Sequence, residues 1–329
     1  MKRLRITLAI LTLFLLYAFV QQAQPQQKAA KPTVGILQLT THPALDAIHK
    51  GIIAELKKRG YVPGQNVKID FQNAEGDQSN LKSMSERFQQ EGAAVRVGIA
   101  TPAAQALAAT TKTAPIVLGA VTDPKGAKLV KDNAHPGGNI TGVSDQAPIA
   151  AQLKLIRQLL PNLKTLGVIY TSSDDSAVAQ VKLLKPLAQK AGFTLKTYSI
   201  SSTNDMNQAA EQMAGAVQAV YVPTDNTVAS AMQTLVAATN KAKIPVFPSV
   251  DTMVKQGGVA TISVDQYQLG IETGKQVADI LDGKAPAKMP IHFVRNGKLV
   301  VNVKQARKIG LTIPAQLVQQ AQQKGEVIQ

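Results

Sequence analysis

The stretch TVGILQLTTHPALDAIHKGIIAELKKRG, residues 33–60, opens on a short apolar run, turns polar at 38–42 and resumes from Pro43 with apolar residues at helical spacing. That is a strand, a loop and a helix in succession, and the pattern repeats down the chain. β-rich runs at 34–37, 67–73, 95–99, 116–120 and 140–144 alternate with helical stretches starting near Pro43, Asn80, Pro102 and Gly126. A second series places strands at 165–170, 194–199, 219–222, 245–248 and 258–263, with helices starting near Ala147, Ser176, Met206, Thr227 and Thr252. Strands alternating with helices build parallel sheets, so two such series predict an α/β protein of two Rossmann-like lobes with a boundary near 142–146.

A further helical pattern at 267–281 precedes a β-like segment at 291–295, an Asn296-Gly297 turn and a run at 299–303, which together read as a hairpin. Elements that follow two complete lobes carry the chain back between them, and several crossings make a multi-strand hinge. The expected division is 33–144 with 267–290 in the first lobe and 145–266 with 291–329 in the second. A chain of 329 residues also exceeds what one hydrophobic core usually supports.

Composition removes several classes of function. With no Cys there are no disulfides, no thiolate metal sites and no thiol nucleophile. The net charge of +15 raises nucleic-acid binding, but the cations are scattered, as at Lys57, Lys82, Lys154, Lys185 and Lys275, rather than gathered on one stripe. No G-x-S-x-G elbow, P-loop, H-E-x-x-H or post-strand G-x-G-x-x-G is present, so no enzyme signature emerges. No cofactor or nucleic-acid partner is expected, and a monomer is.

Residues 1–32 read differently from the rest. Lys2, Arg3 and Arg5 precede an apolar run at 6–20, and a Gln-rich stretch follows, which is the layout of an export signal. No good small-x-small cleavage site follows the run, so both an uncleaved anchor and an atypical cleavage near Ala23 stay open. Either reading places residues 33–329 outside the cytoplasm.

In open parallel sheets, ligands bind beyond the carboxyl ends of the strands, where loops lead into helix N-termini. This rule selects Gln38, Thr41, His42, Thr101, Thr122, Asp123, Ser172, Ser173, Asp225, Asn226, Asp251 and Asp265, with Tyr170 at a strand end. Thr101-Pro102 starts a helix whose free backbone N–H groups suit a carboxylate, helped by Ser172 and Ser173. Asp123, Asp225, Asp251 and Asp265 are the candidates to hold an ammonium, Asp225 and Asp251 foremost. A zwitterionic amino acid fits both requirements, and Tyr170 is the candidate to pack on an aromatic side chain. Helix capping is the competing role for each of these hydroxyls and carboxylates. His42 and Asp46, four apart on one helical face, have the spacing of metal ligands, but no further His falls at a strand end to complete a site.

Six strings, HPALD at 42–46, TPAAQ at 101–105, VTDP at 121–124, NITGVSD at 139–145, YVPTDN at 221–226 and DQYQLG at 265–270, occur in order. Through them the chain resembles the ABC-transporter substrate-binding proteins of type I periplasmic-binding-protein-like fold, related to tryptophan and tyrosine transporter components. The resemblance implies an exported receptor that closes by hinge motion on an amino acid, often aromatic, and passes it to a membrane permease driven by an ATPase. Thr41 stands where relatives often carry an acid, and Gln266 where they carry an aromatic. A ligand-sensing receptor for a membrane signalling partner is the alternative reading.

Overall fold

From Thr33 the chain builds β1 (Thr33–Gln38), α1 (Pro43–Lys58), β2 (Lys68–Asn73), α2 (Gln78–Gln90), β3 (Val95–Ile99), α3 (Thr101–Thr110), β4 (Ile116–Gly119) and β5 (Ile140–Ser144). It continues through α4 (Ile149–Leu159), β6 (Thr165–Thr171), α5 (Asp175–Lys190), β7 (Thr194–Ile200), α6 (Met206–Ala214), β8 (Ala219–Val222), α7 (Asn226–Ser230), α8 (Met232–Lys241), β9 (Val246–Pro248), α9 (Asp251–Lys255) and β10 (Ala260–Ser263). The last elements are α10 (Gln266–Leu281), β11 (His292–Phe293), β12 (Lys298–Asn302), α11 (Val303–Lys308), α12 (Ala315–Lys324) and β13 (Glu326–Ile328). The computed structural model describes residues 31–295 and 297–329, together with Thr12. The export segment read at 1–32 therefore lies almost wholly outside the described residues.

The first sheet has the order β11-β5-β4-β3-β1-β2, every pair parallel. The second has the order β7-β6-β8-β9, again parallel throughout. Helices cover both faces of such sheets, which is why the strands read as apolar runs: the adjacent residues Ile36 and Leu37, and Ile116, Val117 and Leu118, are all buried. A third, mixed sheet, β10-β12-β13, extends the second lobe, and the Val259 N–H donates to the Val246 carbonyl at 2.7 Å to link the two.

The sequence places a helix near Gly126, but the segment is a series of turns. The Asp123 carboxylate accepts the Gly126 N–H at 2.8 Å, and Lys128 takes a left-handed φ of 59°, which ends any helical run before it starts. The hairpin expected across Asn296-Gly297 is also absent. β11 pairs in parallel with β5, His292 opposite Val143 and Phe293 opposite Ser144, whereas β12 pairs antiparallel with β10. The return crossing thus falls after Phe293 rather than before 291, because Ile291 is buried in the first core and β11 completes the β5 edge.

α10, late in the chain, packs against α1 as a wall of the first lobe. The approach is very close. A Cβ at Gly270 would stand 2.1 Å from the Ile48 carbonyl, and one at Gly51 2.3 Å from the Tyr267 carbonyl. Glycine is required at both positions for the helix backbones to touch.

Candidate functional site

The carboxyl ends of β1, β3, β4 and β5 in the first sheet face those of β6, β8 and β9 in the second, and the loops between line a narrow cavity. One part of its wall is aliphatic: Ala44, Leu45 and Ile48 from α1, Ala229 from α7, and Val250 and Met253 around α9. Ala100 and Ala120 add to it, and the rest is polar, with His42, Thr101, Thr122, Asp145, Ser176, Thr224, Asp225, Asn226, Thr252 and Gln266.

Contacts across the cleft hold the lobes together. His42 Nε2 lies 3.1 Å from Asn226 Oδ1, and Gln105 Nε2 donates to Asp175 Oδ2 at 2.9 Å. Ala44 of the first lobe is buried within an apolar cluster of the second, with Val228, Ala229 and Met253. These contacts define a closed arrangement.

Strand-end backbone shapes the first-lobe side. Ala100 has φ 77° and Ala120 has φ 61°, both in the region that disfavours a Cβ, and both line the cavity. Such strain, of order 1–3 kcal/mol per residue, persists where the surroundings over-determine it and clusters at binding sites. The twist at Ala100 turns the chain directly into α3, so that Thr101 faces the cavity at the helix N-terminus. Helix geometry leaves the Thr101 and Ala103 N–H groups without intrahelical acceptors, and the Thr101 hydroxyl is buried at 2% exposure with no hydrogen-bond partner. A helix N-terminus with an unspent hydroxyl is suited to an anion.

Carboxylates gather opposite. The Thr122 hydroxyl donates to Asp145 at 2.8 Å. Asp225 accepts the Thr171 N–H and hydroxyl and the Val228 N–H, which caps α7. Asp174 caps α5 through the Ser176 and Ala177 N–H groups, takes the Ser176 hydroxyl, and accepts from the Asn226 amide nitrogen at 3.3 Å. Burial pushes Asp145 and Asp225 up to about 6, and the negative charge of Asp174 adds to both shifts. Asp145 and Asp225 in the wall, with Asp174 near both, have no ion-pair partner among the described residues and form a cation-seeking side of the cavity.

Of the residues selected from sequence, His42, Thr101, Thr122, Asp225 and Asn226 meet in the cavity. The others are placed elsewhere. Gln38 is buried beneath it, bonding the Thr40 carbonyl and Asp46, and Thr41 is exposed beside Asn73 and Glu75. Asp123 holds its own turn, Asp265 caps α10 by accepting the Gln268 N–H at 3.0 Å, and Asp251 starts α9 without being one of the lining residues. Burial pushes Asp251 too up to about 6. Ser172 and Ser173 are exposed, and Tyr170 packs against the second core instead of the cavity. His42 and Asp46 bond different partners, Asn226 and Gln38, and among the described residues no group of His, Cys, Asp and Glu converges as metal ligands.

Sequence reading missed Asp145, Ser176 and Gln266 as wall residues. Asp145 directly follows β5 at the first crossing, and its position one residue past a strand end was the available signal.

Two parallel α/β lobes joined by repeated crossings, with a closed cavity at their strand ends, define a protein of type I periplasmic-binding-protein architecture. The chain belongs to the family described as ABC transporter substrate binding protein, whose model matches residues 33–325. It is 37% identical over 269 residues to a tyrosine-binding protein of Clostridioides difficile, covering 82% of this chain and 78% of that one. A solved ABC domain from Streptococcus pneumonia in complex with L-Trp is 44% identical, with a TM-score of 0.87 over 91% of this chain and 100% of the other. A ligand-free, open substrate-binding protein with adhesive properties from Clostridium difficile is 36% identical, with a TM-score of 0.69 over 86% of this chain and 96% of the other. The family is one of non-enzymatic, extracytoplasmic binding proteins.

Proposed function

We propose that this protein binds an aromatic amino acid, tryptophan foremost, between its lobes and delivers it to the permease of an ABC importer on the outer side of the membrane. The observation that carries this reading is the closed cavity itself, with an anion-seeking helix end, a cation-seeking carboxylate wall and an aliphatic bed. The identity to the L-Trp complex and to the tyrosine-binding protein supports the same reading. In it, the carboxylate rests on the Thr101 hydroxyl and the first turn of α3, the ammonium faces Asp145 and Asp225, and the ring lies on Leu45, Ile48, Val250 and Met253. Ligand selects the closed form by touching both lobes at once. Among the described residues no Phe, Tyr or Trp lines the cavity, so the aliphatic bed holds the ring by dispersion and exclusion of water. Residues 1–32, with their basic start and apolar run, serve export or anchoring in this reading.

Isothermal calorimetry with the standard amino acids tests it. Saturable binding of tryptophan or tyrosine, with alanine and lysine inert, is expected. Heat only with a non-aromatic ligand would overturn the aromatic assignment, and binding with turnover would overturn the transport role.

A further inference from the structure

His42 carries a feature that carboxylate and ammonium recognition leaves unused. It lies in the cavity wall at 6% exposure, just ahead of the aliphatic residues that α1 contributes, and its Nδ1 is buried with no hydrogen-bond partner. Its other nitrogen, Nε2, is 3.1 Å from Asn226 Oδ1. The orientation of Asn226 is fixed from the far side, where its amide nitrogen donates to Asp174 Oδ2 at 3.3 Å. The amide oxygen must therefore face His42, and an oxygen can only accept, so Nε2 is the protonated nitrogen. Burial holds the imidazole below its ordinary range and hence neutral, against smaller opposing effects of Asn226 and Asp46. A neutral ring protonated at Nε2 presents a bare lone pair at Nδ1.

We propose that His42 is the specificity-determining residue of the cavity, its Nδ1 accepting a hydrogen bond from an N–H or O–H group on the ligand's aromatic ring. The inference rests on the aromatic amino-acid reading above and adds what kind of ring is chosen. An indole N–H or a phenol O–H satisfies the buried acceptor, whereas a plain phenyl ring leaves it unpaired. The acceptor is set by a relay, Asp174 to Asn226 to His42, that spans both lobes. The lone pair is thus fixed at Nδ1 only when the lobes are closed.

The test compares ligand pairs that differ in this one group: tryptophan against its benzothiophene analogue, with sulfur in place of the ring N–H, and tyrosine against phenylalanine. On the wild-type protein the donor-bearing member of a bound pair should bind at least about tenfold tighter. His42→Leu should bring the two members to within about twofold, with the donor-bearing one losing most. Equal affinities within each pair on the wild type would overturn the inference while leaving the aromatic reading intact. No binding by any of the four would overturn that reading and this inference together. Should His42→Leu fail to fold, 15N spectra of the wild-type histidines decide: a pyridine-type Nδ1 that shifts on adding tryptophan is expected, and a protonated Nδ1 refutes the assignment.

Discussion

The Thr122 hydroxyl donates to Asp145 across 2.8 Å, tying the loop after β4 to the first residue past β5, where the chain starts its first crossing between lobes. A carboxylate at this point belongs both to the hinge and to the cavity wall. Its protonation therefore bears on closure as well as on binding.

Asp145 and Asp225 sit at about 6, above the ordinary carboxylate value near 4, so the folded protein holds protons that the unfolded chain has released. The sign follows from linkage: the ligand-free protein is most stable below pH 4 in respect of these groups and loses that contribution as pH rises through 6. A bound ammonium reverses the preference, since it favours the ionised forms. Affinity for a zwitterionic ligand should fall on the order of tenfold from pH 7 to pH 5. Calorimetry in two buffers of different ionisation heat should record proton release on binding near pH 6.

Thr101→Val keeps the shape of the side chain and removes a buried hydroxyl that has no partner among the described residues. Folding stability should stay level or rise by up to about 1 kcal/mol, while amino-acid affinity drops about tenfold. A thermal melt and a binding isotherm on the same sample separate the two effects.

Asp225→Ala is expected to do damage of both kinds. It strips the cap from α7 and leaves the Thr171 N–H and hydroxyl without an acceptor, at a cost of about 2–4 kcal/mol. Binding should weaken at least about tenfold. Urea unfolding gives the first number and calorimetry the second.

Ala44→Phe places a ring where first-lobe α1 meets the Val228 and Met253 cluster of the second lobe. The closed form is overpacked and the open form is not. Small-angle scattering should show the wild-type radius of gyration falling on addition of ligand and the variant's staying constant.

Ala100→Gly relieves a left-handed backbone that alanine adopts only under constraint. A gain of about 1 kcal/mol in stability is expected after the extra entropy of the unfolded glycine is subtracted. A fall in thermal midpoint would show that the constraint is not at this residue.

The parallel sheets were legible because strands buried on both faces leave uninterrupted apolar runs, as in Val34 to Leu37 and Ile116 to Gly119. The crossing at 291–299 was less so. An Asn-Gly turn signals that the chain bends there, but the choice of partner for each flanking strand depends on edges, β5 and β10, that are far away in sequence. Within the site, the rule for strand ends found the loops but could not tell an acid that caps from one that also faces the ligand. Asp225 and Asp265 both cap helices by accepting the N–H three residues on, and only the placement of α7 against the cleft brings Asp225 to the cavity. Tyr170 sits at a strand end as expected, yet its side chain falls on the core side of the sheet.

The glycine-mediated contact of α10 with α1 has a consequence for the order in which this protein matures. Leu269, Val277 and Ala278 of α10 belong to the first lobe's core, yet they are synthesised only after the whole parallel sheet of the second lobe. A nascent chain that has completed β5 holds five strands and three helices with one apolar wall still exposed. Burial there waits on a long-range contact, which folds slowly. The first lobe's core is therefore completed only when the chain is nearly finished.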